Sequence, residues 1–342
     1  MEQLKNSNFI KACYGKNDGS IPIWIMRQAG RYLPEYLEVR SKATFKELCQ
    51  SPELITTVVK QPIDRFNLDA AILFSDILTF LDPLGASVSF PDQGGPKIAD
   101  PIETPDDIKK LHDFDIKKEL SFALEGIKSI KQAMPNTPLI GFAGSPFTIS
   151  CYLIEGQGSK SFDKPKKFMH TYRDSANDLF NMLSDITGRY LNEQISAGAD
   201  CVQLFGSWDG ILSRDDFYEF TVKPANKIFG MLKDRNVPRI MFVNNLAPYV
   251  DLVNEIDCEV VGVDYRMDIN HAASVLKNKS VQGNLDPSIL FGTPEHVKEK
   301  ALKQLQNFDN LDRLIFNLGH GIQPKTPIES VQALVETVQN FR

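Results

Sequence analysis

Two arginines four residues apart, Arg27 and Arg31, are the clearest chemical signal in this sequence. They follow the apolar run Ile21–Met26 directly, so a buried segment ends in two permanent cations. A guanidinium group is a planar fork of donors that fits a carboxylate or a phosphate. Gly30 lies between the two and lets a ligand approach the backbone closely. The pattern indicates an anion-binding site, and the alternative is two surface arginines in a solvated loop.

Asp76 and His320 are the next candidates because both closely follow an apolar run. Asp76 either caps a helix or directs a carboxylate to ligand N–H groups, and one oxygen can cap while the other binds. His320 stands between Gly319 and Gly321, which expose it to a ligand. The alternative for His320 is a structural histidine.

Three further side chains have both a functional and a structural interpretation. Arg40 ends the pattern PEYLEVR and binds an anion or pairs with a nearby acid, Glu35 or Glu38. Tyr152 contacts a ligand or lies on an apolar helix face with its hydroxyl satisfied. Ser207, in G-S-W-D-G, is a ligand contact or an ordinary turn serine. No G-x-S-x-G elbow surrounds it, so a nucleophilic serine is not expected.

The elements that must position these residues are short apolar runs that alternate with helical stretches. Parallel strands covered on both faces have this composition. The alternation predicts one (β/α)8 barrel domain over residues 1–342, in which function belongs at the carboxyl ends of the strands. A doubly wound open sheet is the alternative, but no G-x-G-x-x-G follows any run. The eight predicted strands are Ile21–Met26, Ala70–Phe74, Leu139–Ala143, Cys201–Phe205, Arg239–Val243, Val260–Asp264, Ser280–Gly283 and Leu314–Leu318.

Helical periodicity and two insertions complete the predicted architecture. Thr293 is a good helix N-cap before a first-turn proline. The segments of helical period are Phe168–Ile195, Asp215–Lys233, Pro294–Leu305 and Ile328–Val338. The predicted insertions are a hairpin with a flexible loop over Pro83–Pro105 and a mobile, lid-like loop over Glu155–Lys160.

Composition excludes several classes of function. The net charge of −6 gives no general attraction for nucleic acid, so any anionic ligand must be held by local cations. We expect no membrane span and no signal peptide, because no apolar run is long enough. We expect no metal, because no H-x-C, H-E-x-x-H or C-x-x-C is present. An odd number of scattered cysteines favours a reducing cytosol; they are Cys13, Cys49, Cys151, Cys201 and Cys258.

The chain also resembles a known family. The stretch MRQAGRYLPEY, from Met26 to Tyr36, resembles the first signature of the uroporphyrinogen decarboxylases, and GFAGSPFT, from Gly141 to Thr148, is similar to their second. The likeness continues through LFSDIL, LFGSW and FNLGHG and so spans nearly the whole chain. Members of this family convert uroporphyrinogen III to coproporphyrinogen III by removing carbon dioxide from four acetate side chains, without a cofactor.

The resemblance implies roles for the candidate residues. Arg27, Arg31 and Arg40 would bind carboxylates at the rim of the substrate, and Asp76 would accept its central pyrrole N–H groups. Arg27 would also be the proton donor, although a water or a substrate carboxylic acid relayed by it fits as well. The implied enzyme is a cytoplasmic homodimer that needs no metal. The implied substrate contacts are Arg27, Gln28, Ala29 (through its backbone), Gly30, Arg31, Arg40, Asp76, Tyr152, Ser207 and His320.

One position departs from the family pattern, and two other functions stay open. Members often carry an acid where this chain has Gly206, directly before Ser207. A cobalamin-linked methyltransferase would share the barrel, but its zinc–thiolate site needs a histidine and two cysteines near strand ends. A non-catalytic anion-binding barrel would bind the porphyrinogen and release no carbon dioxide.

Overall fold

A sheet of seven parallel strands forms the centre of the molecule, within residues 4, 6–91, 94–234 and 236–341 that the computed structural model describes. Consecutive strands of the sheet are neighbours, and each pairs in parallel with the next. A separate antiparallel hairpin consists of two short strands. In chain order the strands are β1 (Ala71–Ile72), the hairpin strands β2 (Val88–Ser89) and β3 (Lys97–Ile98), then β4 (Leu139–Gly144), β5 (Cys201–Gly206), β6 (Arg239–Val243), β7 (Val260–Val263), β8 (Ser280–Leu285) and β9 (Leu314–Leu318).

Helices connect the strands and cover the outside of the sheet. The α-helices are α1 (Asn8–Cys13), α2 (Pro34–Arg40), α3 (Phe45–Gln50), α4 (Pro52–Phe66), α5 (Leu81–Leu84), α6 (Pro105–Ile108), α7 (Ile116–Glu119), α8 (Ser121–Ala133), α9 (Pro146–Glu155), α10 (Asp163–Thr171), α11 (Arg173–Ala197), α12 (Arg214–Phe217), α13 (Lys223–Gly230), α14 (Val250–Val253), α15 (Ile269–Val275), α16 (Pro294–Gln306) and α17 (Ile328–Gln339). A π-helical turn, Tyr218–Val222, joins α12 to α13.

The α/β barrel is confirmed, but Ile21–Met26 is not a regular strand. It makes a single parallel bridge, Ile23 to Phe316 of β9, and its other neighbour is the segment before β1, where the Asp69 N–H donates to the Ile23 carbonyl at 2.9 Å. Pro22 has no N–H, and side chains accept the N–H groups of Ile23, Ile25 and Met26. The backbone ladder is therefore interrupted, although the segment still closes the ring of strands.

The remaining boundaries follow the predictions with small shifts. The long helical stripe is broken at Tyr172 into α10 and α11, and the helix predicted over Asp215–Lys233 contains the π turn. The Thr293 side chain caps α16 as expected, accepting from the His296 N–H. The predicted hairpin is present as β2 and β3, while Asp92 and Gln93, which fall between them in the chain, lie outside the described residues.

The predicted lid loop is tied to this hairpin. The Ile98 N–H donates to the Gly156 carbonyl at 2.8 Å, and Lys97 bridges Gln157 in antiparallel fashion. Its opening and closing stay a prediction.

Three phenylalanine rings pack inside the barrel near the carboxyl ends of the strands. The Phe142 and Phe205 ring centroids are 5.5 Å apart, and those of Phe205 and Phe242 are 5.8 Å apart. Edge-to-face contacts of this kind are favourable beyond the area they bury. They give the mouth of the barrel an apolar layer beneath its polar residues.

We expect closure of the barrel to depend on hydrogen bonds that Asn317 accepts. Its Oδ1 accepts from the N–H groups of Met26 at 3.0 Å and Leu318 at 2.7 Å, and the side chain is buried. Asn317→Leu leaves both donors unsatisfied and should lower the free energy of unfolding by about 2–4 kcal/mol. Urea denaturation measures it, with exposed Asn340→Leu as the control, expected to change stability by less than about 0.5 kcal/mol. Equal effects of both variants would contradict this role.

Candidate active site

Arg27 occupies a strained turn that the neighbouring glutamine holds in place. Its φ is 67°, in the left-handed region that non-glycine residues rarely adopt. The Gln28 side chain accepts from the Ile25 N–H at 3.0 Å and donates to the Ala70 carbonyl at 3.1 Å. A Cβ atom at Gly30 would lie 2.8 Å from the Arg27 carbonyl oxygen, so the turn needs glycine there. These contacts direct Arg27 into the mouth, and they commit the Gln28 side chain to backbone groups.

Asp76 is a half-buried carboxylate with one oxygen engaged. Oδ1 accepts from the Leu78 N–H at 2.9 Å, which is the capping role that the sequence allowed. Within the described residues, Oδ2 has no hydrogen-bond partner and is available to a ligand donor. Burial raises the pKa of Asp76 to about 6, against the lowering effects of the Leu78 N–H and of Arg27. The group is therefore mostly ionised at neutral pH.

Arg27 lies in one electrostatic neighbourhood with three other predicted site residues. Burial lowers the pKa of Arg27 most, Asp76 and Tyr152 raise it, and Arg31 lowers it. Protein surrounds most of the guanidinium group, yet the side chain remains accessible to water, as expected in an open cleft. Among the described residues, neither Arg27 nor Arg31 has a carboxylate within 4 Å. The two cations are thus uncompensated by close ion pairs.

His320 is held beside Arg27 by the glycines that flank it. A Cβ atom at Gly321 would lie 2.3 Å from Arg27 Cδ, and one at Gly319 would lie 2.2 Å from the Tyr265 backbone nitrogen. Gly319 is therefore required by a close backbone approach, and a side chain at position 321 would displace the Arg27 side chain. Burial, and then the charges of Arg27 and Arg266, lower the pKa of His320 to about 4. His320 is neutral at pH 7 and offers one donor and one acceptor to a ligand.

Tyr152 lies on α9 within the electrostatic influence of Asp76 and Arg27, and Ser207 lies in the loop after β5. The Tyr152 ring packs edge-on against Phe162, which in turn contacts Trp208. Burial raises the pKa of Tyr152, and the nearby Trp208 lowers it, although the indole N–H makes no hydrogen bond of good geometry within the described residues. Ser207 follows β5, and its carbonyl accepts from Asn244 Nδ2 at 3.4 Å.

Arg40 approaches the same cleft from α2. Its Nη1 donates to the Ala43 carbonyl at 2.7 Å. Both Arg40 and Asp76 influence the buried Cys49 thiol, whose pKa is raised mainly by burial, so the arginine lies on the Asp76 side of the mouth. The acids that the sequence offered as partners pair elsewhere: Glu35 with Arg65 and Glu38 with Lys42.

Asp209 organises the β5 loop and was not anticipated from the sequence. It is completely buried and accepts hydrogen bonds from the hydroxyls of Ser145 at 2.6 Å, Thr148 at 2.7 Å and Thr221 at 3.0 Å. Burial raises the pKa of Asp209 to about 6 against these bonds. The three donors come from the start of α9 and from the π turn, so one carboxylate joins both to the loop that carries Ser207.

Gly206 lies directly against this carboxylate. A Cβ atom there would lie 3.0 Å from Asp209 Cγ and 3.0 Å from its Oδ2. The space beside the end of β5 is therefore filled by Asp209, which answers the question that the missing acid at Gly206 raised. In the sequence, only the order G-S-W-D-G hinted at this arrangement.

Arg266 is a second residue that sequence reasoning missed. It lies two positions after Asp264, at the end of β7, and influences His320 electrostatically. Its distance along the chain from the first signature concealed its proximity to the site.

Other features of the described residues do not contribute to this site. A groove of about 400 Å³ lies on the outside of the barrel between α11 and α13, away from the strand ends. All five cysteines are buried and none forms a disulfide. No group of three potential metal-binding side chains occurs in the described ranges, nor does any of their helices have the length and apolarity to cross a membrane.

The fold and the site define an α/β barrel whose mouth combines uncompensated arginines with a half-buried carboxylate. The family model described as uroporphyrinogen decarboxylase (URO-D) matches residues 4–341, and the chain belongs to this family. Two proteins named uroporphyrinogen decarboxylase are similar to it. The one from Citrifermentans bemidjiense is 40% identical over 98% of this chain and 99% of its own, and the one from Coxiella burnetii (strain Dugway 5J108-111) is 40% identical over 100% and 96%.

A solved structure shares the fold at lower sequence similarity. A methyltransferase from Methanosarcina mazei superimposes with a TM-score of 0.80 at 19% identity, over 97% of each chain. At this identity the likeness concerns the fold alone, so it does not favour methyl transfer.

Asp76→Asn is expected to stabilise the folded protein at neutral pH. An unfolded aspartate titrates near 3.9, below the folded value of about 6, so the wild-type protein loses stability as the pH rises from about 4 to about 6. The difference corresponds to about 3 kcal/mol, which partial solvent access reduces to about 1–2 kcal/mol. Urea unfolding at pH 4 and pH 7.5 tests this. The variant should gain stability over wild type only at the higher pH, and a gain independent of pH would contradict the assignment.

The contact between Gly206 and Asp209 can be tested by exchanging the acid. Gly206→Asp places two carboxylates together and should cost more than about 2 kcal/mol, because like charges in a buried site repel. Asp209→Ala leaves three buried hydroxyls without their acceptor and should also destabilise. Urea denaturation should show that the double variant is destabilised by at least about 1 kcal/mol less than the sum of the two single destabilisations. Simple additivity would show that the positions do not share one space.

Proposed function

We propose that this chain is a carboxy-lyase that converts uroporphyrinogen III to coproporphyrinogen III by removing its four acetate carboxyl groups, without a cofactor. The observation that carries the proposal is that Asp76, with its unengaged Oδ2, lies close enough to Arg27 for the two charges to influence each other. Membership of the uroporphyrinogen decarboxylase family supports the same reaction.

The mouth offers complementary groups to a dish-shaped tetrapyrrole. Asp76 Oδ2 accepts the central pyrrole N–H groups, while Arg27, Arg31 and Arg40 bind carboxylates at the rim. The phenylalanine layer at the strand ends supports the apolar macrocycle. Gln28, Ala29 and Gly30 contribute through the backbone of their turn, and Tyr152, Ser207 and His320 contribute hydrogen-bonding groups.

The reaction needs an electron sink that the pyrrole itself supplies. Protonation of a pyrrole α-carbon makes the ring cationic, and the acetate carbon–carbon bond then breaks, releasing carbon dioxide and placing its electron pair in the ring system. Protonation of the former acetate carbon then completes a methyl group, and loss of the first proton from the α-carbon restores the neutral pyrrole. The ionised Asp76 stabilises the cation electrostatically in a site of low dielectric constant.

Arg27 or a group that it orients delivers the first proton. Burial lowers the pKa of this guanidinium, which makes it a stronger acid than an arginine in water. His320, with its pKa near 4, is neutral at pH 7 and so carries no acidic imidazolium proton, whereas Arg27 is a cation. A water or substrate carboxylic acid held by Arg27 remains an equal route for the same proton.

Asp76→Asn tests the catalytic role because it keeps the shape and removes the charge. Turnover should fall on the order of a hundred to a thousandfold, equivalent to about 3–4 kcal/mol of lost transition-state stabilisation. Anaerobic incubation with uroporphyrinogen, followed by separation of the products by carboxyl number, measures it. In wild type, activity should fall as the pH drops through about 6, the folded pKa of Asp76.

Asp178→Asn on the outer helix α11 is the matched control and should retain wild-type turnover. Near-normal turnover of Asp76→Asn would show that the carboxylate is not the stabiliser. Wild-type protein that binds uroporphyrinogen but releases no carbon dioxide would instead favour a non-catalytic binding barrel.

We also propose that the enzyme is a cytoplasmic homodimer. The five buried thiols suit a reducing compartment, and the family resemblance is the basis for the dimer. Light scattering on purified protein tests the assembly: a mass near twice 38.5 kDa is expected, and a monomer at micromolar concentration would contradict it.

A further inference from the structure

Arg266 is fixed at the end of β7 by contacts on two sides. Its Nη1 donates to Asn244 Oδ1 at 3.0 Å and to Asp264 Oδ1 at 3.4 Å. Its guanidinium carbon lies 4.3 Å from the centroid of the Tyr265 ring. A stacked and hydrogen-bonded guanidinium loses little further freedom on binding an anion. Arg266 is therefore preorganised.

The same side chain keeps donors for a ligand. It is 47% exposed, whereas Asp264 is completely buried. Within the described residues, Nε and Nη2 of Arg266 make no hydrogen bond. Asp264 is already occupied, since it accepts from the backbone N–H groups of Leu246 at 2.7 Å and of Arg266 itself at 3.0 Å. Half of the guanidinium fork thus faces solvent with its charge only partly offset.

Backbone contacts place Arg266 beside the proposed active site. The glycine before His320 packs against the Tyr265 backbone, and the glycine after it packs against the Arg27 side chain. The His320 loop therefore separates Arg27 on one side from Arg266 on the other. The lowered pKa of His320, to which both arginines contribute, agrees with this arrangement.

A hydrogen-bonded series connects Arg266 to another predicted substrate contact. Asn244 accepts from Arg266 through Oδ1 and donates to the Ser207 carbonyl through Nδ2. The ends of β5, β6 and β7 are thus linked along the mouth. Arg27, on the other side of the His320 loop, is the arginine that influences Asp76, so Arg266 lies farther along the mouth from the proposed reacting centre.

We propose that Arg266 is a fourth anion-binding arginine of the mouth, which holds a substrate carboxylate remote from the acetate that reacts. The inference rests on the proposed function. Asn244 and Asp264 are its positioning residues. Because the contact exists before and during the reaction, it contributes to substrate binding more than to turnover.

Arg266→Gln and Arg266→Lys test this in steady-state kinetics with uroporphyrinogen. The glutamine variant should raise KM about 10- to 100-fold, with kcat within about threefold of wild type, as expected for loss of one charge-assisted contact. The lysine variant keeps the charge and the stem over Tyr265 but loses the fork, so its KM should be intermediate. It also tests the contact if the glutamine variant folds poorly.

The matched control is Arg189→Gln. Arg189 is also a partly exposed arginine paired with an aspartate, Asp113, but it lies on the outer helix α11. The Arg189→Gln variant removes the same charge from the protein and should leave KM within about twofold of wild type, since distant surface charges are screened by salt.

A binding measurement separates this inference from the proposed reaction. Uroporphyrin, the oxidised and unreactive relative of the substrate, is titrated while the tryptophan fluorescence of the protein is followed; Trp208 directly follows Ser207 in the loop after β5. Arg266→Gln should weaken binding about as much as it raises KM. The pKa of His320, followed by NMR, should rise in this variant because a neighbouring positive charge is lost.

Two results are decisive. If wild type releases carbon dioxide while KM and uroporphyrin affinity in Arg266→Gln equal those of Arg189→Gln, the role of Arg266 is overturned and the proposed function stands. If wild type is inactive but binds uroporphyrin more tightly than Arg266→Gln does, the decarboxylation fails and the arginine's anion-binding role is retained.

Discussion

The site depends on how the first segment of the barrel closes against the last strand. Ile21–Met26 lies between β9 and the start of β1, and side chains of Asp69, Gln28 and Asn317 accept its N–H groups where a ladder would otherwise run. Closure of this kind brings residues from the two ends of the chain together. Arg27 meets the His320 loop only because the closing segment ends at that point.

Electrostatics explains why this arrangement is costly in the absence of a ligand. Arg27 and Arg31 share a cleft without close carboxylate partners among the described residues, and Asp76 is ionised although burial raises its pKa to about 6. Pairing or neutralising these charged groups would make the folded protein more stable. A polycarboxylate with central N–H donors would compensate both charges at once, so the same features that lower stability prepare the binding of such a ligand.

Two carboxylates with raised pKa values, the half-buried Asp76 and the completely buried Asp209, have different roles because their partners differ. Asp209 receives three hydroxyl hydrogen bonds and is completely buried, so it joins α9, the π turn and the β5 loop. Asp76 receives one backbone N–H and faces the mouth with a second oxygen. A raised pKa alone would not distinguish them; the number of satisfied acceptor positions does.

The sequence by itself determined the fold class and the positions of most strands, and it picked out the candidate site residues, whose roles stay a prediction. Apolar runs that alternate with stretches of helical periodicity predict a parallel barrel, and a short motif such as the arginine pair indicates anion binding from the sequence alone. Only the tertiary structure decided that Ile21–Met26 pairs through side chains, that Asp209 fills the space beside Gly206, and that Arg266 lies next to His320. These contacts join residues far apart in the chain. A local sequence pattern indicates the secondary structure of its own segment, whereas contacts between distant segments form only when the barrel closes.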